Sequence, residues 1–258
     1  MPYTEETLKH FESECEKVTF GLRKLVERFL TEISPKLKIP RAKEYLEHGV
    51  CRRIRVLERS IERIYEIFPP NRKNKLTRDE LSDVQIYLHA FVINLFGILD
   101  NLAWVYVLEH NLEAEVGGHM GVGLYAKGTQ NILPPDLKAY INLDSTKEWY
   151  EKYVKNYRDA LAHRIPLYVP PLIVTEVEAA KWMELDGRIW ECIQNQEFEA
   201  LEDLKREEAD LGIVCDMFSH SLSESESKTV YIHPQLLVDG ATILELCDLY
   251  LADFWQVT

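Results

Sequence analysis

Apolar residues recur at spacings of three and four along most of this chain, the period of amphipathic helices. From about Thr4 to Ser34, Phe11, Val18, Leu22, Leu25, Val26, Phe29, Leu30 and Ile33 form one stripe, with Thr4, Glu5 and Glu6 suited to an N-terminal cap. Pro35 and Pro40 bracket a turn. A second helix is predicted from about Arg41 to Phe68, with Leu46, Val50, Ile54, Leu57, Ile61, Ile64, Tyr65 and Phe68 inward, and Pro69-Pro70 end it. Thr77 and Glu80 form a capping box that opens the longest helix, running to about Leu112. Pro134-Pro135 starts a short helix. A second box, Ser145 and Glu148, opens a helix with Trp149, Tyr150, Tyr153, Val154, Tyr157 and Leu161 on one face. Pro166 stops it, because Ile165 before it is driven out of the helical region.

Past Pro166 the period changes. Pro166, Pro170 and Pro171 alternate with apolar residues and predict an extended segment. Thr175 to Gly187 fits neither template, and a charged helix is expected from about Arg188 to Asp210. Gly212–Phe218 and Thr229–Ile232 flank a Ser/Glu-rich turn, Ser219 to Lys228, and predict an exposed hairpin. A last helix, from about Pro234 to Trp255, carries Leu237, Ala241, Leu244, Cys247, Leu251 and Phe254, with Asp248 beside the stripe. No repeat or linker interrupts the chain. The expectation is one all-α domain over residues 1–258: a bundle of long antiparallel helices with a small extended or hairpin insertion before the last helix.

Val84 to Leu99 is free of formal charge, but Asn94 lies inside it and Asp100-Asn101 follow. That run is short of the ~20 residues a span needs, and a mid-span Asp is costly. A central, largely buried helix is therefore expected, and no membrane partner. Lys and Arg number 30 against 43 Asp and Glu, a net charge of −13, which leaves no global basic footprint for nucleic acid. Five cysteines without CxxC spacing argue against a disulfide framework or zinc site. The acidic N-terminus lacks an apolar signal core, so a cytoplasmic location is expected.

Several chemistries have no motif here. None of the eight histidines has Glu three residues before it, and there is no His-Glu-x-x-His, Gly-x-Ser-x-Gly or kinase signature. No metal or cofactor is expected. His89 reads as a hydrogen-bonded core residue, His220 and His233 as surface residues beside the hairpin. Gly117, Gly118, Gly121, Gly123 and Gly128 cluster after a long helix, where a phosphate-cradling loop would need a strand before it; the loop reads as structural, ligand binding being the alternative. Arg52, Arg53, Arg55, Arg59 and Arg63 read as a solvated face with Glu partners; a local phosphate-binding surface is the alternative.

Chemistry concentrates in the last two turns before Pro166. Asp159 and His163 are four apart, so a carboxylate–imidazole hydrogen bond is within reach. Arg158 and His163 are five apart, roughly 140° round an ideal helix. They converge only if the helix loosens at His163 or if two chains pool their copies at an interface. The residues can equally serve as caps of the helix end. Arg158-Asp-Ala-Leu-Ala-His163 resembles the motif of the HEPN superfamily, helical domains with Arg-x(4–6)-His near the end of a core helix. The resemblance covers about residues 77–171. Arg41 and His48 also match, with six residues between, but Ala42 follows the Arg where the family has a polar residue.

The resemblance implies a metal-independent endoribonuclease of toxin or defence type, with a composite site at a homodimer interface. His163 would act as general acid/base, Arg158 would stabilise developing charge, and Asp159 would orient His163 or the RNA. A cognate antitoxin would then be a possible partner. The same family includes non-catalytic modules that bind a nucleotide or a protein, which is the alternative reading.

Overall fold

The computed structural model describes residues 3–220 and 229–255. The first helix, α1 (Glu5–Arg28), opens on Thr4, whose hydroxyl accepts from the Thr7 amide. It continues through a wide π turn (Phe29–Ile33) and a 3-10 turn (Ser34–Lys36). A short helix α2 (Pro40–Glu44) runs through a second π turn (Tyr45–Val50) into α3 (Cys51–Ile67). The longest helix, α4 (Arg78–Glu109), begins with the complete Thr77/Glu80 capping box. Its box is braced by Arg72, which donates to both Glu80 carboxylate oxygens. That guanidinium, with the Thr77 amide, holds the Glu80 carboxyl down to about 2.

Cross-helix pairs give the directions. Arg53 meets Asn101 and Asn94, while Arg63 lies over the Tyr87 ring, so α3 and α4 are antiparallel. Arg23 pairs with Glu58 and Glu62 between α1 and α3. The last helix, α11 (Ile232–Asp253), closes the bundle beside α1 and runs parallel to it: Val18 faces Gly240, Gly21 faces Leu244, and Arg28 pairs with Asp248. The buried core is drawn from α1, α3, α4 and α11 together with the shorter helices described next.

The α1–α11 approach depends on glycine. A Cβ at Gly240 would stand 2.5 Å from Val18 Cγ1. Gly240→Val is expected to lower stability by about 2 kcal/mol, the usual scale of overpacking, and so the Tm by roughly 4–8 °C. A thermal melt checks this; an unchanged Tm would mean the two helices slide apart freely.

After α4 the glycine-rich loop coils on itself. Gly117 and Gly118 have φ of 84° and 76°, and a Cβ at Gly121 would sit 1.7 Å from the Val116 carbonyl oxygen. Thr129, fully buried, donates to Gly121 O and accepts from the Gly123 amide. Short helices α5 (Lys127–Gln130), α6 (Pro135–Ile141) and α7 (Asp144–Trp149) follow. A third π turn (Tyr150–Lys155) leads into α8 (Asn156–His163). Here the expected Ser145 cap is not used: the cap lies two residues earlier, at Leu143, and Glu148 instead pairs with Lys152. Ser145 thus falls inside the first turn, out of reach of the amides it was expected to satisfy.

The insertion before α11 is larger and more helical than the pattern suggested. Thr175 and Glu178 form a capping box for α9 (Glu176–Asn195), and α10 (Phe198–Ala209) folds back on it. Gln196, at φ 61°, breaks what reads as one charged helix from Arg188 to Asp210. The pair encloses its own small core of Leu185, Ile189, Cys192, Leu204 and Leu211. The expected extended segment is present: Tyr168 bridges Ser219 and Ile173 bridges Ile213. β1 (Met217–Phe218) pairs antiparallel with β2 (Val230–Tyr231), as the hairpin pattern predicts. Residues 221–228, most of its Ser/Glu-rich turn, lie outside the described residues. Among the described residues the architecture is all-α with two minimal strands.

Candidate functional site

The outer face of α4 organises the polar groups. Phe96 and Asp100 turn toward α8, whereas Asn94, Gly97 and Asn101 turn toward α3. A helix wheel puts Ile86 and Ile93 between these sets, and both are exposed, at 61% and 38%.

On the α8 side, the Arg158 guanidinium lies 3.9 Å from the centre of the Phe96 ring, close enough for a cation–π contact. Phe96 stacks on Tyr150, and Tyr150 stacks on Tyr125 with centroids 3.7 Å apart and planes 3° from parallel. One Arg158 nitrogen lies 2.9 Å from Asp159 Oδ1, an ion pair, and Nε is buried without a partner. Both side chains keep about a third or less of their surface exposed, 27% and 32%. Asp100 sits between the arginines. Burial raises its pKa, against the opposing pull of Arg158 and Arg53.

Asp159 therefore spends its carboxylate on Arg158, not on His163. α8 stays regular through His163, and the loosening lies upstream at Tyr150–Lys155, so it does not bring Arg158 and His163 together. Arg158 packs inward while His163 is exposed at the helix end. Arg164 follows, its guanidinium folding back onto Asn156 O and Oδ1. Beside the stack, Asp100, Tyr125, Tyr150, Lys147 and Lys155 line an open cavity of about 380 Å³.

On the α3 side, Arg53 Nε donates to Asn101 Oδ1 at 3.0 Å and its Nη1 to Asn94 Oδ1 at 3.1 Å. A Cβ at Gly97 would stand 2.5 Å from the guanidinium carbon, so only glycine lets Arg53 cross α4 there. Sequence reasoning missed this network. Its signal is the run Asn94, Gly97, Asn101, small and amide residues on one face of an otherwise apolar helix. The discounted pair Arg41 and His48 lines a pocket with Arg53 and Asn101, reached through the Tyr45–Val50 π turn. Elsewhere in the Arg-rich stretch, Arg59 and Arg63 pair with Glu62 and Glu66, as a solvated face predicts.

Three further histidines are tied into the fold. His89 is half-buried, its Nε2 2.6 Å from Leu167 O. His220 and His233 are not at the surface as expected: they are 3% and 0% exposed. His233 Nε2 bonds Phe68 O at 2.6 Å, and burial lowers its pKa. Both fall where the hairpin folds onto the bundle, which their local sequence does not reveal.

No protein-family model, curated protein or solved structure matches the chain. The family resemblance is carried by residues 158–163 and their setting alone.

Proposed function

We propose that the protein is a HEPN-like, metal-independent endoribonuclease of toxin or defence type whose site is completed by two copies of the chain. The observation that carries this is the division of labour in α8. Arg158 is fixed against Phe96 with its Nη2 free of partners among the described residues, while His163, five residues on, faces solvent. A planar guanidinium held in place suits a non-bridging phosphate oxygen. An exposed imidazole, which can take up and give back a proton at its ring nitrogens, suits proton transfer.

Within one chain these groups point apart, and two copies supply what one lacks. Ile86 and Ile165 are exposed apolar residues near this end of α4 and α8, a surface for a second chain to cover. In the paired site, one His163 takes the proton from a ribose 2′-hydroxyl. The 2′-oxygen bonds to the adjacent phosphorus, and the 5′-oxygen leaves with a proton from the other His163. Arg158 stabilises the negative charge that builds on the phosphoryl oxygens.

A second reading is favoured by the Arg158–Asp159 pair. An arginine already ion-paired within its own chain also fits a non-catalytic HEPN-like module that binds a nucleotide or protein. Cleavage of RNA by the purified protein in EDTA, beside His163→Ala, separates the two. Cleavage lost in a variant that still folds and keeps its mass in solution is the expected result, with a drop of about 10²–10⁴ for removal of a general acid/base. A strictly monomeric parent, or equal background in both proteins, selects the non-catalytic module.

A further inference from the structure

Arg53 is an unusual internal tie. Both its anchors are neutral amide oxygens, and among the described residues no carboxylate lies within the 4.0 Å that defines an ion pair. Asn94 is fixed in orientation, because its Nδ2 donates to Ala90 O at 2.7 Å, which leaves its oxygen for Arg53. Of the five N–H donors on a guanidinium, two are used here. The other three remain, and the side chain lines an open pocket of about 270 Å³. The pocket's single carboxylate, Glu44, is already paired with Arg41 at 2.6 Å. His48 stands exposed on the rim, and Gly49 leaves room for Asn101, since a Cβ there would come 2.7 Å from the amide oxygen. A half-buried cation held by dipoles keeps its full charge for an anion. A guanidinium with its donors held in a fixed fork matches phosphate best.

We propose that the Arg41–His48–Arg53 pocket is a second phosphate subsite, which holds a backbone phosphate of the same RNA strand that meets Arg158 across α4. This rests on the ribonuclease reading for the identity of the strand. Arg53 is its anion ligand, His48 a second donor at the rim, and Asn94, Asn101 and Gly97 position the guanidinium. The two arginines flank the same helix, and both act on Asp100, which lies between them.

The test is binding, not cleavage. A fluorescent 2′-O-methyl RNA oligonucleotide, which cannot be cut through its 2′-oxygen, is titrated into the full chain at several salt concentrations. AMP and inorganic phosphate serve as competitors. Arg53→Gln, checked for an unchanged melting curve, is expected to weaken binding at least tenfold and to reduce the slope of log affinity against log salt by about 0.7, the share of one single-strand phosphate contact. His48→Ala, an exposed position, is expected to weaken binding about threefold at unchanged Tm. Phosphate and AMP are expected to compete in the parent and to lose that effect in Arg53→Gln. A folded Arg53→Gln with parental affinity and slope overturns the proposal. So does a parent that binds none of the three probes. If Arg53→Gln does not fold, parental affinity in His48→Ala overturns it. Arg53-dependent binding of AMP by a parent that does not bind the oligonucleotide would make this a free-mononucleotide site and overturn the strand assignment. Failure of the nuclease reading shows separately: an RNA that binds through Arg53 but is never cut leaves the subsite standing.

Discussion

Arg158→Lys is expected to reduce RNA cleavage by two to three orders of magnitude while the helical content and mass of the protein stay those of the parent. The substitution keeps the positive charge and the burial of the stem, so it isolates geometry. Arginine reaches 3.9 Å from the Phe96 centroid because a flat, weakly hydrated cation can lie on a ring. An ammonium is compact and strongly hydrated, and its donors are not fixed in a plane. It would still pair with Asp159, which is a Coulombic partner at the surface. It would not hold a donor against a phosphoryl oxygen. Losing one such donor from a site that stabilises developing charge lowers a rate by roughly 10²–10³. Single-turnover cleavage in EDTA, with binding of the uncleavable oligonucleotide measured alongside, reads the effect. A slow variant that binds like the parent places Arg158 in the transition state. Equal rates in the two proteins would make the guanidinium a structural plug on Phe96, with only its charge in use.

What the sequence makes legible is local. The Thr77/Glu80 box, the apolar stripe of α3 and the Pro166 stop depend on neighbours within four residues, so spacing alone places them. The π turns at Phe29, Tyr45 and Tyr150 do not. Each inserts a residue into the hydrogen-bond ladder, and what stabilises such an insertion is packing across the bundle. The result is a displaced register: Tyr150 joins the Phe96 stack instead of lying simply above Val154 and Tyr157. Gln196 at φ 61° breaks a helix without glycine or proline, and its break follows from α10 folding onto the Leu185–Cys192 face. The candidate site was half readable for the same reason. Arg158, Asp159 and His163 were found because they share one helix. Arg53, Asn94 and Asn101 were missed because their contact spans two helices and only Gly97 announces it. The hydrogen bond drawn from Asp159 to His163 failed against a nearer cation. Adjacent residues on a helix do not normally meet, but an arginine is long enough to reach round to its neighbour.

The largest effect on stability is expected at Asp239, and its size depends on pH. This carboxyl is wholly inside the bundle, and Oδ1 accepts from the Trp149 indole and from Gln235, both at 2.7 Å. Burial raises its pKa to about 7; the two hydrogen bonds oppose this and do not win. An unfolded chain holds the same group near ~3.9. Between these values the folded state binds a proton that the unfolded state releases. The contribution of this group is thus fully present below about pH 4 and is lost as pH rises through 7. Asp239→Asn removes that dependence, because an amide carries no charge at any pH and its oxygen can keep both donors. The variant should match the parent at pH 4.5 and exceed it at pH 8 by on the order of 3 kcal/mol, or roughly 6–12 °C in Tm for a chain of this size. Thermal melts at the two pH values decide it. A variant weaker than the parent by the same margin at both would mean that the ionised carboxylate is stabilised in place, its two donors outweighing burial. Trp149 is the last residue before the Tyr150 π turn, so the proton on Asp239 also bears on how firmly α11 holds the segment that carries Tyr150 and leads into Arg158.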